Sequence, residues 1–259
     1  MRRRLRWEEL TGEDLGTLSR DTPVILPVGS VEYHGPHLPL GVDAMVVYEV
    51  ALRAAEMEPA VVLPPLFYGY APSARAWLGT ISLSAETFVR VLEEVCDEVR
   101  RNGFKKIIIL NGHGGNRRPI RLFLREVLAK GKPYAVYAMV DPWAPISQVI
   151  ERVAETKPVG HACEVETSMA LYLFPKLCRM DRAAPAEVGR EGLVPGAETP
   201  VDWANYARKG YVGRPDRADQ EKGRVLVERW AREVARVIRL VREDTRYWEL
   251  VKMYAGPRT

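Results

Sequence analysis

The chain has only four histidines, His34, His37, His113 and His161, and each lies in a short segment rich in Gly, Glu, Asp or Asn. Histidines that merely pack would be scattered. The first segment, residues 29–43, reads G-S-V-E-Y-H-G-P-H-L-P-L-G-V-D. On an extended backbone, Glu32 and His34 stand two apart and point the same way. A carboxylate and an imidazole converging there start a metal site. Asp43 can join them from the start of the next helix, and a carboxylate can bridge two metals. His113 sits in N-G-H-G-G-N, residues 111–116, where glycine lets the backbone approach a ligand closely. H-A-C-E-V-E-T-S, residues 161–168, adds His161, Glu164 and Glu166. A set of imidazoles and carboxylates admits Zn, Mn or Fe.

Each piece also has an ordinary structural explanation. A Glu-x-His pair is commonly a surface pair, and N-G-H-G-G-N could be a flexible turn. Asp43 could be a helix cap, and Glu164 and Glu166 a solvated helix face. The concentration of all the histidines in these segments favours the metal site. His37 reads as a supporting residue rather than a ligand. Tyr70, Trp77 and Trp143 are candidates to line a site, with packing as their default role.

Elements around these segments must bring them together. Apolar runs at 23–28, 60–63, 105–110 and 134–140 predict buried strands. Helices are expected from about 44 to 56 with Asp43 as N-cap, 84–101 with Ser84 and Thr87 as possible caps, and 117–130. Further helices are expected at 146–155, 161–173 and 219–243, with 64–83 a long loop and 180–218 irregular. Strands alternating with helices predict a three-layer α/β/α sandwich with a mostly parallel sheet. Ligands in such sheets bind beyond the carboxyl ends of the strands. The segments at 30–43 and 111–116 both begin where a strand ends, so they share one rim. No repeat or linker divides the chain, and 1–259 reads as a single domain.

Composition removes other classes. With 259 residues, 47% hydrophobic and 28% charged, the chain is an ordinary globular protein. No run reaches the roughly 18 apolar residues of a membrane span. Glu8 and Glu9 follow the basic start instead of an apolar stretch, which argues against a secretory signal. The 38 basic residues are interleaved with 34 acidic ones, with no aromatic-interleaved basic patch, so no nucleic-acid partner is expected. Three scattered cysteines form no disulfide framework and suit a cytoplasmic protein. Only four Asn and two Gln beside many charges suit a thermophile.

These three segments, in this order and at this separation, resemble the creatininase family of metal-dependent amidohydrolases. The stretches at 78–83 (L-G-T-I-S-L) and 210–215 (G-Y-V-G-R-P) through Glu221-Lys222-Gly223 resemble it too. The likeness runs from about residue 5 to about residue 243. It implies an α/β/α fold, a homo-oligomer that is often hexameric, and two divalent metal ions per chain. Carried over by position, Glu32, His34, Asp43 and His113 are ligands, with Asp43 bridging. Creatininase has a glutamate two residues after the histidine of the third-strand loop, and this chain has Gly115 there. The H-A-x-E-x-E-T-S form of other members assigns the last ligand to Glu164. The missing glutamate argues against creatinine as substrate. A histidine common in the 70–77 loop of relatives is also absent, leaving Arg75 as the nearest polar residue.

The implied chemistry is hydrolysis of a C–N bond in a small cyclic amide or formamide. A metal-bound water has its pKa lowered toward about 7, so hydroxide is present at neutral pH. The leaving nitrogen needs a proton, from His161 or Glu166; Glu166 could equally orient a ligand. An archaeal branch of the family deformylates a formamidopyrimidine ribonucleotide on the route to flavin and deazaflavin cofactors, and another branch cleaves a peptide-derived cofactor precursor. For the former, Arg75, Arg117 and Arg118 are candidates to hold a phosphate, although solvated side chains account for them slightly better. The alternative from another class is a non-catalytic metal-binding or assembly protein that kept the fold. Metal occupancy separates the two.

Overall fold

Continuous apolar runs are stable as strands only where both faces of a sheet are covered, and the four predicted runs meet that condition. The computed structural model describes residues 6–157, 159–187, 194, 199–200 and 203–255. Its strands are β1 (Val24–Val28), β2 (Val61–Val62), β3 (Lys106–Asn111) and β4 (Ala135–Met139). They form one parallel sheet in the order β2-β1-β3-β4. Among the described residues the α-helices are α1 (Gly12–Gly16), α2 (Val42–Met57), α3 (Ala85–Arg101), α4 (Arg117–Ala129), α5 (Ser147–Val153), α6 (Glu164–Leu173), α7 (Gln220–Glu243) and α8 (Tyr247–Ala255).

The two-residue alternation of strands splits the core. Ile25, Ile108 and Leu110 face one cluster, closed by α2, α5, α6 and α7. Val24, Leu26, Val28, Ile107 and Ile109 face the other, closed by α3 and α4. The expected three-layer α/β/α sandwich is therefore the fold, and its sheet is wholly parallel. α3 shows how the sequence specifies a layer. Ser84 caps it by accepting from the Thr87 amide, and Phe88, Leu92, Cys96 and Val99 recur along its buried face. Pro27 lies inside the central strand β1 without harm. Its carbonyl accepts from Leu66, so its missing N–H faces the side where β2 has already ended.

Several boundaries differ from the sequence reading. Asp43 does not cap α2. Gly41 precedes the helix, and Asp43 lies in its first turn with the carboxylate turned inward. α6 begins at Glu164 rather than 161, because Ala162 is held at φ 51°, outside the helical range. The short α1 and the terminal α8 lack a long apolar period and were not expected. Within 180–218 the described residues form 3-10 turns at Met180–Arg182, Trp203–Asn205 and Pro215–Arg217; residues 188–193, 195–198 and 201–202 lie outside the described residues.

α6 and α7 pack backbone to backbone at Gly223. A Cβ there would lie 1.9 Å from the Ser168 carbonyl oxygen and 2.9 Å from Tyr172 Cβ. Two helix backbones cannot yield locally, so Gly223→Ala is expected to destabilise the fold by about 3 kcal/mol. Thermal unfolding followed by circular dichroism checks this; an unchanged midpoint would refute the close approach.

Candidate metal centre

Parallel strands deliver their carboxyl ends to one rim. There β1 runs into the Glu32–His34 segment and β3 into the His113 loop. Asn111 and Asn116 pin that loop. Asn111 Nδ2 donates to the carbonyls of His113 and Val140, and Asn116 Nδ2 donates to Gly29 while its Oδ1 accepts from the Tyr70 amide. The turn is thus braced to β1 and to the 64–83 loop, not flexible.

Three histidines share one arrangement. His34 Nδ1 lies 3.0 Å from the Glu32 carbonyl oxygen, His113 Nε2 3.1 Å from that of Tyr70, and His161 Nε2 2.6 Å from that of Tyr33. A carbonyl only accepts, so each of these nitrogens carries the proton. The other ring nitrogen is thereby turned toward carboxylates. His34 Nε2 lies 3.0 Å from Asp43 Oδ1, and 3.9 Å from both Glu32 Oε1 and Glu166 Oε2. His113 Nδ1 lies 2.9 Å from Asp43 Oδ2 and 3.1 Å from Glu32 Oε1. His161 Nδ1 lies 3.4 Å from Glu32 Oε1.

Glu32, His34, Asp43 and His113 are all buried, and Glu166 nearly so. Burial opposes charge on His34, yet Asp43, Glu166 and Glu32 outweigh it and push the ring up to about 10. His113 is likewise buried, and Glu32 and Asp43 raise it well above its ordinary value. Against burial, His34 and His113 hold Asp43 well below the usual carboxylate range. Burial pushes Glu166 up to about 7 although His34 opposes it. Burial, reinforced by His34, pushes His161 down to about 4. The cluster therefore demands positive charge at its centre.

A divalent cation fits that demand. Glu32 Oε1 and Asp43 Oδ2 are buried without a hydrogen-bond partner, although His113 Nδ1 is close to both. Three groups each present ligand atoms within 4.8 Å of one another: Glu32, Asp43 and His113; His34, Asp43 and Glu166; and Glu32, His34 and His161. Asp43 belongs to the first two.

Glu164 does not join them, which corrects the expectation that it supplies the last ligand. Its carboxylate is buried elsewhere, accepting from the amides of Glu155 and Thr156, the Thr156 hydroxyl and Lys222 Nζ. Glu166, two residues on, turns into the cluster instead. Its Oε2 accepts from the Ala162 amide. The Ala162 carbonyl lies 3.2 Å from His37 Nε2, which also contacts Thr167 Oγ1 at 3.1 Å. His37 accordingly braces the 161–163 turn from behind. The 78–83 stretch supports the rim as well: Thr80 Oγ1 accepts from the Tyr33 amide, and Ile81 bridges to Val31.

A cleft of about 990 Å³ opens over the cluster. Its lining includes Glu32, His113, His161, Glu166, Tyr70 and Trp143. Trp77 is set back and stacks at 6.1 Å on Trp203, which does line it. Arg75 is absent from the lining; Arg117, Arg118 and Arg121 are part of it. Trp203 and Arg121 escaped the sequence reading. Trp203 lies in the irregular stretch, and only the helical spacing from Arg118 could have pointed to Arg121.

The sequence profile of the creatininase family, described as creatinine amidohydrolase, matches residues 5–238. The chain belongs to the creatininase family. It is an amidohydrolase of that family, with a cluster of potential metal ligands. It is 28% identical to a creatinine amidohydrolase of Pseudomonas putida over 250 residues, 91% of this chain and 94% of the relative. A solved Glu-to-Gln variant of creatininase of Zn–Zn type superposes with a TM-score of 0.80 at 28% identity, covering 93% of this chain and all of that one. A shorter match, 32% identical over 97 residues, is to the 2-amino-5-formylamino-6-ribosylaminopyrimidin-4(3H)-one 5'-monophosphate deformylase of Methanococcus maripaludis; it covers 36% of this chain and 41% of that relative. Among the described residues, no helix is long and apolar enough to cross a membrane.

Gly115 also gains a reason. A Cβ there would lie 2.3 Å from the Tyr70 carbonyl oxygen and 2.4 Å from His113 Nε2. The contact that orients His113 occupies the space a side chain needs.

Glu164→Gln separates anchoring from metal binding. It removes the charge that holds Lys222 and the 155–156 turn, so stability should fall by about 2–4 kcal/mol. Burial raises the Glu164 pKa, but the Glu155 amide, Lys222 and Thr156 lower it more, to a net value below 4.5. A lowered carboxylate stabilises the fold above its unfolded pKa and loses that effect as pH falls through the folded one. The gap between wild type and variant should therefore be full at neutral pH and close below about 4.5. Denaturant titration across pH reads this, and loss of metal from the variant at neutral pH would contradict it.

Proposed function

We propose that the chain hydrolyses a C–N bond in a small cyclic amide or formamide at a two-cation centre. Glu32, Asp43 and His113 hold one cation, His34, Asp43 and Glu166 the other, and Asp43 is shared. The observation that carries this is the orientation of His34, His113 and His161: one nitrogen of each is held on a backbone carbonyl, and the other faces carboxylates. Zn, Mn and Fe all suit such donors; one solved relative is of Zn–Zn type and another is a Mn form of creatininase. A divalent pair supplies Lewis acidity, acidifying water and polarising a carbonyl oxygen.

The chain's own residues do the rest. His161 lines the cleft and is neutral at its Nδ1, with Nε2–H engaged by Tyr33. It can take a proton at Nδ1 and return it to the leaving nitrogen, which would otherwise depart as a poor amide anion. His37 and Thr167 keep the turn carrying His161 in place. Trp143 and Trp203 offer flat walls for a planar amide. A formamide is favoured over creatinine by Gly115, which stands where creatininase carries a glutamate. The free cysteines Cys96, Cys163 and Cys178 suit the cytoplasm. Leu40, Leu78 and Ile81 are exposed, and Gly79 lies against Leu40, which fits a homo-oligomer such as the hexamer the family implies.

Metal content by elemental analysis, on protein purified without chelator, tests the centre. The wild type should carry about two transition-metal ions per chain, Asp43→Asn close to none and Glu166→Gln about one. Formate release from formamides, lost in His161→Ala with metal retained, tests the chemistry. A wild-type chain that takes up no Zn, Mn or Fe would refute the proposal.

A further inference from the structure

The charge in the cleft is arranged in two tiers. The acidic lining residues, Glu32 and Glu166, both belong to the cation cluster at the floor. Above them, among the described residues, the wall carries Arg117, Arg118 and Arg121 and no carboxylate. Arg117 is neutralised, with Nη2 3.0 Å from Asp141. Arg118 and Arg121 are exposed, three apart on α4, and so share a face. Among the described residues neither forms an ion pair. On α7, by contrast, Arg224, Arg229, Arg232, Arg236, Arg239 and Arg242 all pair with glutamates.

Two further features reinforce the wall. Arg118 lies in the first turn of the thirteen-residue α4, where the helix dipole is positive. The backbone amides of Gly114 and Gly115, also in the lining, donate to no backbone or side-chain group among the described residues. Occupied by two divalent cations, the floor no longer offsets the arginines: three carboxylates and one hydroxide are balanced by four positive charges, and the charge of Arg118 and Arg121 is left uncompensated. The cleft is also far larger than a single small ring requires.

We infer that Arg118 and Arg121 form an anion-recognising wall, and that the substrate carries a phosphate or carboxylate remote from the bond that is cleaved. This rests on the cleft being the substrate site proposed above. A guanidinium binds either anion through paired N–H donors, and the glycine amides add uncharged donors. The arginines thus set which amides are bound, while the floor sets what happens to them.

Calorimetric titration of metal-loaded protein with inorganic phosphate, and separately with acetate, tests this. Metal content is checked in each sample. Phosphate should bind the wild type, and Arg118→Ala/Arg121→Ala should weaken it by about tenfold or more. Arg118→Lys/Arg121→Lys should keep part of the affinity, since charge remains and the paired geometry is lost. Stronger binding of phosphate identifies a phosphoester substrate, and stronger binding of acetate a carboxylate; either supports the wall. Equal phosphate affinity in wild type and the double alanine variant would place the anion on the cations and overturn the inference. The titration needs no turnover, so a failed formate assay and a failed anion wall are told apart.

Discussion

Everything in the centre depends on three backbone carbonyls, those of Glu32, Tyr33 and Tyr70. Each accepts one ring N–H from a histidine and so decides which nitrogen is left to face the carboxylates. An imidazole free to rotate or change tautomer would present a proton where a lone pair is needed. The sheet makes this possible because its parallel strands end on one rim. β1 brings Glu32 and Tyr33, β3 brings His113, and the loop beyond β2 brings Tyr70. The supporting framework is largely amide chemistry: Asn111 and Asn116 tie the same three segments to each other.

The centre and the wall around it have different origins in the chain. The potential metal ligands come from strand ends and the first turns of α2 and α6, where the buried core fixes the backbone. The arginines and tryptophans of the wall come from the exposed face of α4 and from irregular segments. Such a division lets the wall change with little effect on the floor. A family whose members act on chemically different molecules is the natural outcome of that separation.

Much of this was legible in the residues. The four strands, the layer order and the shared rim followed from apolar runs alternating with helices. The segments holding Glu32, His34, Asp43, His113 and His161 were marked by the clustering of histidine with glycine and carboxylates. The choice between Glu164 and Glu166 was not legible. Both are carboxylates on the first turn of one helix, and only Lys222, distant in sequence, and the 155–156 amides of the preceding turn decide which one turns away. Asp43 carries two readings in the sequence, helix cap and ligand, for a related reason: a carboxylate near a helix start satisfies either role until its partners are known. Arg121 and Trp203 became visible only once the cleft had a shape.

Ala162 has a wider consequence. Its left-handed backbone sits between His161 and Cys163; its amide holds Glu166, its carbonyl contacts His37, and its neighbour His161 is the proposed proton carrier. One peptide hinge therefore sets the position of both His161, the proposed acid-base group, and Glu166, the proposed cation ligand. The two cannot be tuned independently: a shift that retunes proton transfer also moves a metal ligand. In this protein the placement of the proposed proton carrier and that of the proposed cation ligand are a single mechanical variable.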